Sequence, residues 1–196
     1  MGDSTARSDW THAVPAARPL RALHDGELHQ RLAAATAAGN GALGAHCIHE
    51  LWMRGELGFD IDAALDRLWQ TAAASIPEWL PMTYVDWLPE VYELAAGFAA
   101  KRKGKSNIYL VLLDYRDRKG SAYGVYVGVS DYTPAQRFDQ HKAGIRAAGS
   151  VLKRGLEVLT GPTLHLQRIA RVEAAEIEVA LAGALSDAGL LVQGGH

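Results

Sequence analysis

Cysteine is almost absent from this chain, since Cys47 is the only one among its 196 residues. A single thiol excludes an intramolecular disulfide and a zinc site built on several thiolates, and it is typical of a reducing, intracellular setting. The sequence also contains no apolar run long enough to span a bilayer. Its first residues lack the basic and then apolar order of a secretory signal. We therefore expect a cytoplasmic protein without a membrane partner.

The chain as a whole also lacks a large excess of positive or negative charge, since its net charge is −2. The charge is nevertheless distributed unevenly between its two halves. Residues 1–100 hold six Lys and Arg against 13 Asp and Glu, a net charge of −7. Residues 101–196 hold 14 against nine, a net charge of +5. The second half is therefore expected to face a polyanion. The acidic first half is a candidate surface for a protein partner.

The composition changes at a basic run, residues 101–106. This run is either a solvated linker or a set of phosphate contacts in which Lys103 and Lys105 take part. Sequence alone leaves both alternatives open, and the first is the more common fate of such a run. In either case we place a domain boundary here, with a helical domain over residues 1–100 and a second domain over residues 106–196.

The first domain shows helical periodicity in four segments. Asp25 is suited to cap the first of them, and Asp60 and Asp86 are placed to begin two others. The remaining segment carries its apolar residues between Leu43 and Trp52. Four short helices with aromatic anchors predict a small all-α bundle.

The second segment contains His46, His49 and Glu50, a combination that invites comparison with a metal site. Zinc-dependent proteases, however, need two histidines four residues apart with a glutamate between them, and the spacing here is three. No third ligand is evident, so ordinary half-buried histidines are favoured over metal binding. Cys47 belongs to the apolar stripe of the same helix, which argues against a nucleophilic role.

The second domain changes to strand patterns. Residues 108–113 are apolar on both alternating faces, as expected for a central, covered strand. A polar turn separates them from a second strand over residues 123–129, which predicts an antiparallel hairpin. A third strand is expected from Thr163 to Ala170, followed by a long helix from Val172 to Ala188.

A helix is predicted directly after the hairpin. Thr133 is suited to cap it and Pro134 to occupy its first position. Phe138, Ile145 and Ala148 are then expected to pack inward, while Arg137 and His141 share one side because they are four residues apart. The resulting order β-β-α-β-α predicts a small three-stranded sheet covered by helices, so the whole chain is expected to be α+β.

These segments resemble the GIY-YIG nuclease domain. Asn107-Ile108-Tyr109 resembles the first signature of that family with asparagine in place of glycine, and Tyr126-Val127-Gly128 resembles the second. The helix with Arg137 and His141 is similar to the one that carries the arginine of the family. In the last helix, Glu178 follows an alanine by one turn, and this arrangement resembles the one around the metal-binding glutamate of the family. The resemblance covers residues 106–192 and implies a β-β-α-β-α domain with a small antiparallel three-stranded sheet.

Membership would imply hydrolysis of phosphodiester bonds in DNA, assisted by one divalent metal ion, usually magnesium. In these roles Tyr109 or Tyr126 would act as the general base, once a nearby cation has lowered its pKa. Arg137 would stabilise charge on the phosphate oxygens, and His141 would orient the water or a tyrosine. Glu178 would supply a carboxylate oxygen for magnesium. Helical geometry alone ranks Glu173 equal to Glu178, and only the resemblance separates them.

Two departures from the family bear on activity. Many relatives have a lysine just after the second signature, where this chain has Val129 and Ser130, although Lys142 of the helix is a candidate replacement. Many also have an asparagine after the last helix, which is missing here. Gly128 is expected to let the nucleic-acid backbone approach closely. The alternatives are therefore a metal-dependent endonuclease, a catalytically inactive nucleic-acid-binding or adaptor protein with the same fold, or a module with no affinity for nucleic acid.

Overall fold

The computed structural model describes residues 13–56 and 60–195 of the chain. The start of the first predicted domain, residue 1, and the end of the second, residue 196, lie outside the described residues. Contacts divide the chain into two compact units, Met1–Tyr84 and Val85–His196. Within the described ranges, none of the helices combines the length and the apolar character needed to cross a membrane. The protein is of the α+β class, as predicted.

The regular secondary structure in the described part of the first unit is entirely helical. Its helices are α1 (Asp25–Ala37), α2 (Gly41–Met53) and α3 (Ile61–Ala72), with short 3-10 turns at Pro15–Ala17 and Ala73–Ser75. The side chains of Asn40 and Asp60 cap α2 and α3 by accepting hydrogen bonds from backbone amides. The prediction for Asp60 is thus confirmed. Asp25 is instead the first residue of α1, and its carboxylate accepts a hydrogen bond from Arg54 at 2.7 Å.

Glu50 of α2 forms ion pairs with Arg18 and Arg54. Among the described residues, no group of three or more metal-ligating side chains occurs. Glu50 is 2% exposed and accepts hydrogen bonds from Arg18 and Arg54, each at 2.8 Å. Burial alone would raise the pKa of Glu50, but these hydrogen bonds outweigh it and hold the pKa below its usual range. His49 is buried beside the Trp79 ring, and burial lowers its pKa to about 3. It is therefore neutral at pH 7.

The second unit begins with α4 and continues with a sheet and three more helices. Its elements are α4 (Leu88–Ala96), β1 (Lys103–Asp114), β2 (Tyr123–Ser130), α5 (Pro134–Lys142), α6 (Gly149–Arg154), β3 (Gly155–Val158), α7 (Arg171–Asp187) and β4 (Val192–Gly194). The strand order is β3-β1-β2-β4, with β1 antiparallel to β2 and β3, and β4 parallel to β2. The predicted central strand and its hairpin are confirmed. Residues 108–113 are buried on both faces of β1.

The predicted three-stranded antiparallel sheet is wrong in two respects. The sheet has four strands and is mixed, because the tail of the chain adds β4 beside β2. Gly124 of β2 permits this addition, since a Cβ there would lie 2.7 Å from the carbonyl oxygen of Leu191. The third strand is β3, whereas most of the segment predicted for it, Thr163–Ala170, is not a strand. Residues 161–166 form a 3-10 turn that starts with a Gly-Pro pair.

Candidate active site

The hairpin of β1 and β2 brings the two signature tyrosines together. Tyr109 lies opposite Gly128 in the register, and Tyr126 is two residues from Gly128 on the same face of β2. A Cβ on Gly128 would lie 2.6 Å from Cζ and Oη of Tyr109 and 2.7 Å from Cε1 of Tyr126. Glycine is therefore required here by the two phenol rings. The space that it frees is filled by Tyr109 rather than left open to a ligand.

Helix α5 places the predicted arginine and histidine against this pair. Thr133 and Gln136 form a reciprocal capping box at its N-terminus and Pro134 is its first residue, which confirms the predicted start. His141 is 1% exposed. Arg137 lies one turn earlier and is half-buried.

The hydrogen bonds of His141 fix its tautomer. Its Nδ1 accepts the backbone N–H of Ala148 at 2.9 Å, and its Nε2 lies 2.9 Å from Oη of Tyr109. Burial and the charge of Arg137 lower the pKa of His141 to about 4, so the ring is neutral at pH 7. Because Nδ1 is an acceptor, the proton resides on Nε2, and His141 donates a hydrogen bond to Tyr109.

The rings of Tyr109, Tyr126 and His141 form a compact aromatic cluster. The centroid of the Tyr126 ring lies 5.9 Å from that of each of the other two, and the centroids of Tyr109 and His141 are 6.1 Å apart. Burial raises the pKa of both phenols, and Arg137 acts in the opposite direction on each. The hydrogen-bonding contact with Tyr109 lowers the pKa of Tyr126, whereas the same contact raises that of Tyr109. Tyr109 is 2% exposed and Tyr126 is half-buried.

Arg137 is aimed by the loop that follows α5. Its Nη1 donates to the carbonyl oxygen of Ile145 at 3.2 Å, and its Nη2 donates to that of Arg146 at 2.8 Å. The helix ends at Lys142, and Gly144 reverses the chain with φ of 78°. Ile145 is therefore 55% exposed, contrary to the prediction that it packs inward.

Phe138 and Ala148 do pack against the core that contains Tyr109, as predicted. They support the face of the sheet on which the two phenols lie. The inward side of α5 and of the following loop is thus apolar at these two positions, and Arg137 and His141 are the polar groups that reach the phenols.

Of the two glutamates that helical geometry ranks equally, the structure places Glu178 near the cluster. Glu178 is 7% exposed on α7, and its charge raises the pKa of Tyr126. Glu173 instead accepts the backbone N–H groups of Lys101 at 2.7 Å and Arg102 at 2.9 Å. Its carboxylate holds the segment before β1 and is committed to that role.

The three lysines predicted to contact nucleic acid are not brought into the cluster. Lys142 donates to the carbonyl oxygen of Gly155 at 3.0 Å, at the junction of α6 and β3. Lys103 and Lys105 are exposed on the first residues of β1. In this position the Lys142 ammonium group is engaged with a backbone carbonyl oxygen.

Asn107, which replaces the first glycine of the signature, ties three segments together. Its Nδ2 donates to the carbonyl oxygens of Ser130 at 3.3 Å and Tyr132 at 2.9 Å, and its Oδ1 accepts the backbone N–H of Arg168 at 2.9 Å. Its φ is not positive, so asparagine causes no backbone strain here. The side chain fixes the loop that leads from β2 to α5.

A cleft of about 560 Å³ opens beside Arg137. Its walls are the end of β2 with the following loop, α5, the loop after α5 and the start of α7. Arg137, Arg146 and Arg171 line it, and among the described residues Asp131 is the only carboxylate in its lining. Sequence reasoning missed Arg146 and Arg171, which belong to no motif; the one local signal was Gly144, which indicates that the chain turns back toward α5.

The magnesium ion implied by the resemblance can be tested against these donors. Glu178 is a carboxylate whose charge acts on Tyr126. Within residues 13–56 and 60–195, no group of three or more His, Cys, Asp or Glu side chains that could hold a metal ion occurs. A single carboxylate fits magnesium, which keeps several waters and takes other oxygens from phosphate. It does not fit a zinc site, which needs three or four protein ligands.

Comparison of this chain with protein-family models, curated proteins and solved structures finds no match. The side-chain geometry and the motif resemblance are therefore what bear on its function. Together they concern the second unit, in which a phenol pair, an imidazole and a guanidinium meet beside a positively charged cleft.

Proposed function

We propose that the second unit is a metal-dependent endonuclease that hydrolyses phosphodiester bonds in DNA. The observation that carries this proposal is the convergence of Tyr109, Tyr126, Arg137 and His141 from three elements, with the Glu178 carboxylate near Tyr126. The half-buried Arg137 and the buried Glu178 support it further, because buried charged groups beside perturbed phenols are frequent at functional sites.

Tyr126 is the better candidate for the general base. A base must reach the attacking water, and Tyr109 is almost fully buried with its oxygen already accepting from His141. Tyr126 is half-buried; burial raises its pKa, while its contact with Tyr109 and the charge of Arg137 act against that rise. In this arrangement Tyr109 donates its hydroxyl proton toward the Tyr126 oxygen and stabilises the phenolate there. His141 in turn holds Tyr109 in the orientation that this donation needs.

Arg137 is suited to the phosphate. Its guanidinium is always charged, and the two loop carbonyls hold it in one orientation, so little reorganisation is needed as charge grows on the phosphate oxygens. A divalent ion held by Glu178 would supply Lewis-acid polarisation of the phosphate and stabilisation of the leaving oxygen. Glu178 itself would also orient the water ligands of such an ion.

One observation favours a second candidate, a nucleic-acid-binding or adaptor protein that has lost turnover. The lysine that many members of the GIY-YIG family carry after the second signature is missing here, and Lys142, its candidate replacement, is engaged with the carbonyl oxygen of Gly155. Such a protein would keep the cleft and the fold, and it would bind DNA without cutting it.

The experiment is magnesium-dependent cleavage of plasmid and branched DNA by the natural protein and three variants. Tyr126→Phe is expected to lose about 10²-fold or more of the rate, which is the usual contribution of a positioned base. Glu178→Ala should lose magnesium-dependent activity, whereas Glu176→Ala, an exposed glutamate of the same helix, should cleave like the natural protein. Binding without cleavage by the natural protein would favour the adaptor, and equal cleavage by Glu178→Ala would contradict the assigned metal ligand.

A further inference from the structure

The cleft beside Arg137 carries residues that the catalytic proposal does not use. Arg146 lies in the loop after α5, Arg171 begins α7 and Tyr132 follows β2, and all three line the cleft. With Arg137 they present three guanidinium groups and one large aromatic ring, against the single carboxylate of Asp131. This is the composition of a site for a polyanion that carries aromatic bases.

The backbone beneath Tyr132 is pinned on both sides. Its N–H donates to Oγ of Ser130 at 3.1 Å, and its carbonyl oxygen accepts from Nδ2 of Asn107 at 2.9 Å. Its side chain is nevertheless 54% exposed. A large exposed aromatic ring on a fixed stretch of backbone beside a cationic cleft offers a stacking surface, and a base can use it only where that base is unpaired.

The backbone of Arg146 is also fixed in an uncommon conformation. Its φ is 45°, a left-handed value that is strained for a residue with a side chain, and its carbonyl oxygen is bound by Nη2 of Arg137 at 2.8 Å. The same contact therefore orients the catalytic guanidinium and the loop that carries the second one. Phosphates that follow one another along a strand would meet Arg137 and then Arg146.

Arg171 is exposed and is held weakly, with its Nη1 3.7 Å from Oδ1 of Asp131. That carboxylate oxygen already accepts a hydrogen bond from Oγ of Ser106 at 2.8 Å. An exposed ion pair at such a distance contributes little free energy, so a phosphate can replace Asp131 as the partner of Arg171 at small cost. Arg171 is thus available for a ligand on the wall of the cleft opposite α5.

We propose that this cleft binds an unpaired DNA strand next to the scissile phosphate, with Arg146 and Arg171 on the sugar–phosphate backbone and Tyr132 stacked on a base. The inference rests on the proposed function for the identity of the ligand. It specifies the substrate class as DNA with a single-stranded segment at the cleavage site, such as a flap or an open branch, in preference to uniform duplex.

The test is binding of labelled single-stranded and duplex DNA of equal length to the full chain, in EDTA and over a range of salt. Arg146→Gln and Arg171→Gln should weaken single-strand binding, and each should reduce the slope of log K against log salt by about 0.7. Tyr132→Ala should weaken single-strand binding about tenfold or more while changing duplex binding little, and Tyr132→Trp should retain it. Lys119→Gln, an exposed turn residue away from the cleft lining, is the matched charge control.

The outcomes separate this inference from the catalytic proposal because the measurement excludes turnover. If the natural protein cleaves DNA but the cleft variants bind like Lys119→Gln, the cleft assignment is overturned and the endonuclease stands. If the cleft variants lose binding but no DNA is cleaved in magnesium, the binding site stands and the endonuclease fails. Equal loss of single-strand and duplex binding in Tyr132→Ala would overturn the unpaired-strand preference.

Discussion

Replacing Gly128 with alanine tests the packing on which the candidate site depends. The added methyl would lie 2.6 Å from Cζ and Oη of Tyr109, where ordinary contacts begin near 3.4 Å. Tyr109 has little room to withdraw, because it is 2% exposed and hydrogen-bonded to His141. Overpacking of this kind costs about 1–3 kcal/mol, offset by about 0.5–1 kcal/mol from the reduced freedom of the unfolded chain. Since the contact is with a buried, hydrogen-bonded ring, we expect the upper part of the resulting range, a net loss of about 2 kcal/mol in the free energy of unfolding.

The assay is urea unfolding, with the NMR signals of His141 recorded in the folded state. Gly183→Ala is the control, since a Cβ there meets nothing within 4 Å, and an alanine in helix α7 should stabilise by about 0.5–1 kcal/mol. In Gly128→Ala the His141 signals should shift because Tyr109 is displaced. A variant as stable as the natural protein, with unchanged His141 signals, would refute the packing that we describe.

Three further outcomes follow from buried polar groups. Lowering the pH from 7 to 5 should reduce the free energy of unfolding of the first unit by about 2 kcal/mol, because the pKa of His49 is about 3 in the folded state against a usual 6.5, so that only the unfolded chain takes up the proton. Urea unfolding followed by tryptophan fluorescence measures this change. His49→Phe should flatten the pH dependence. Glu50→Gln should destabilise by about 2–3 kcal/mol in the same unfolding assay, whereas Glu27→Gln, in an exposed ion pair, should cost less than about 1 kcal/mol. Tyr109→Phe should cost about 1–3 kcal/mol in thermal or urea unfolding, since it leaves the buried Nε2–H of His141 without its acceptor.

Elements encoded by local chemistry could be predicted from the sequence. Thr133 and Pro134 specify the start of α5 through a side-chain cap and a fixed φ, which need no distant partner. The central strand could be predicted because residues 108–113 are apolar on both faces. The late helix was likewise predicted within one residue at each end, as Val172–Ala188 against an observed Arg171–Asp187.

Features that depend on distant contacts were missed. Strand β4 is three residues long and forms because β2 offers it an edge, so its own residues carry little strand pattern. Thr163 belongs to a 3-10 turn because Pro162 lacks an amide for a sheet and Gln167 donates to the Thr163 carbonyl oxygen at 2.8 Å. Local periodicity contains none of this information.

The candidate site divides in the same way. Sequence placed Arg137 and His141 on one side of a helix because their spacing is local. Helical geometry ranked Glu173 and Glu178 equally, because only the fold brings Glu173 to the backbone of Lys101. The cleft was not predicted, because Arg146 and Arg171 lie 25 positions apart in the chain and come together only in the folded unit.

Single-turnover cleavage of branched DNA by the natural protein and Arg137→Gln, in magnesium and at saturating protein, tests the central claim most directly. We expect metal-dependent cleavage by the natural protein and a loss of about 10²–10³-fold in Arg137→Gln, as for removal of one transition-state donor. Absence of any cleavage by the natural protein, or an unchanged rate in Arg137→Gln, would contradict the claim that this cluster hydrolyses a phosphodiester bond.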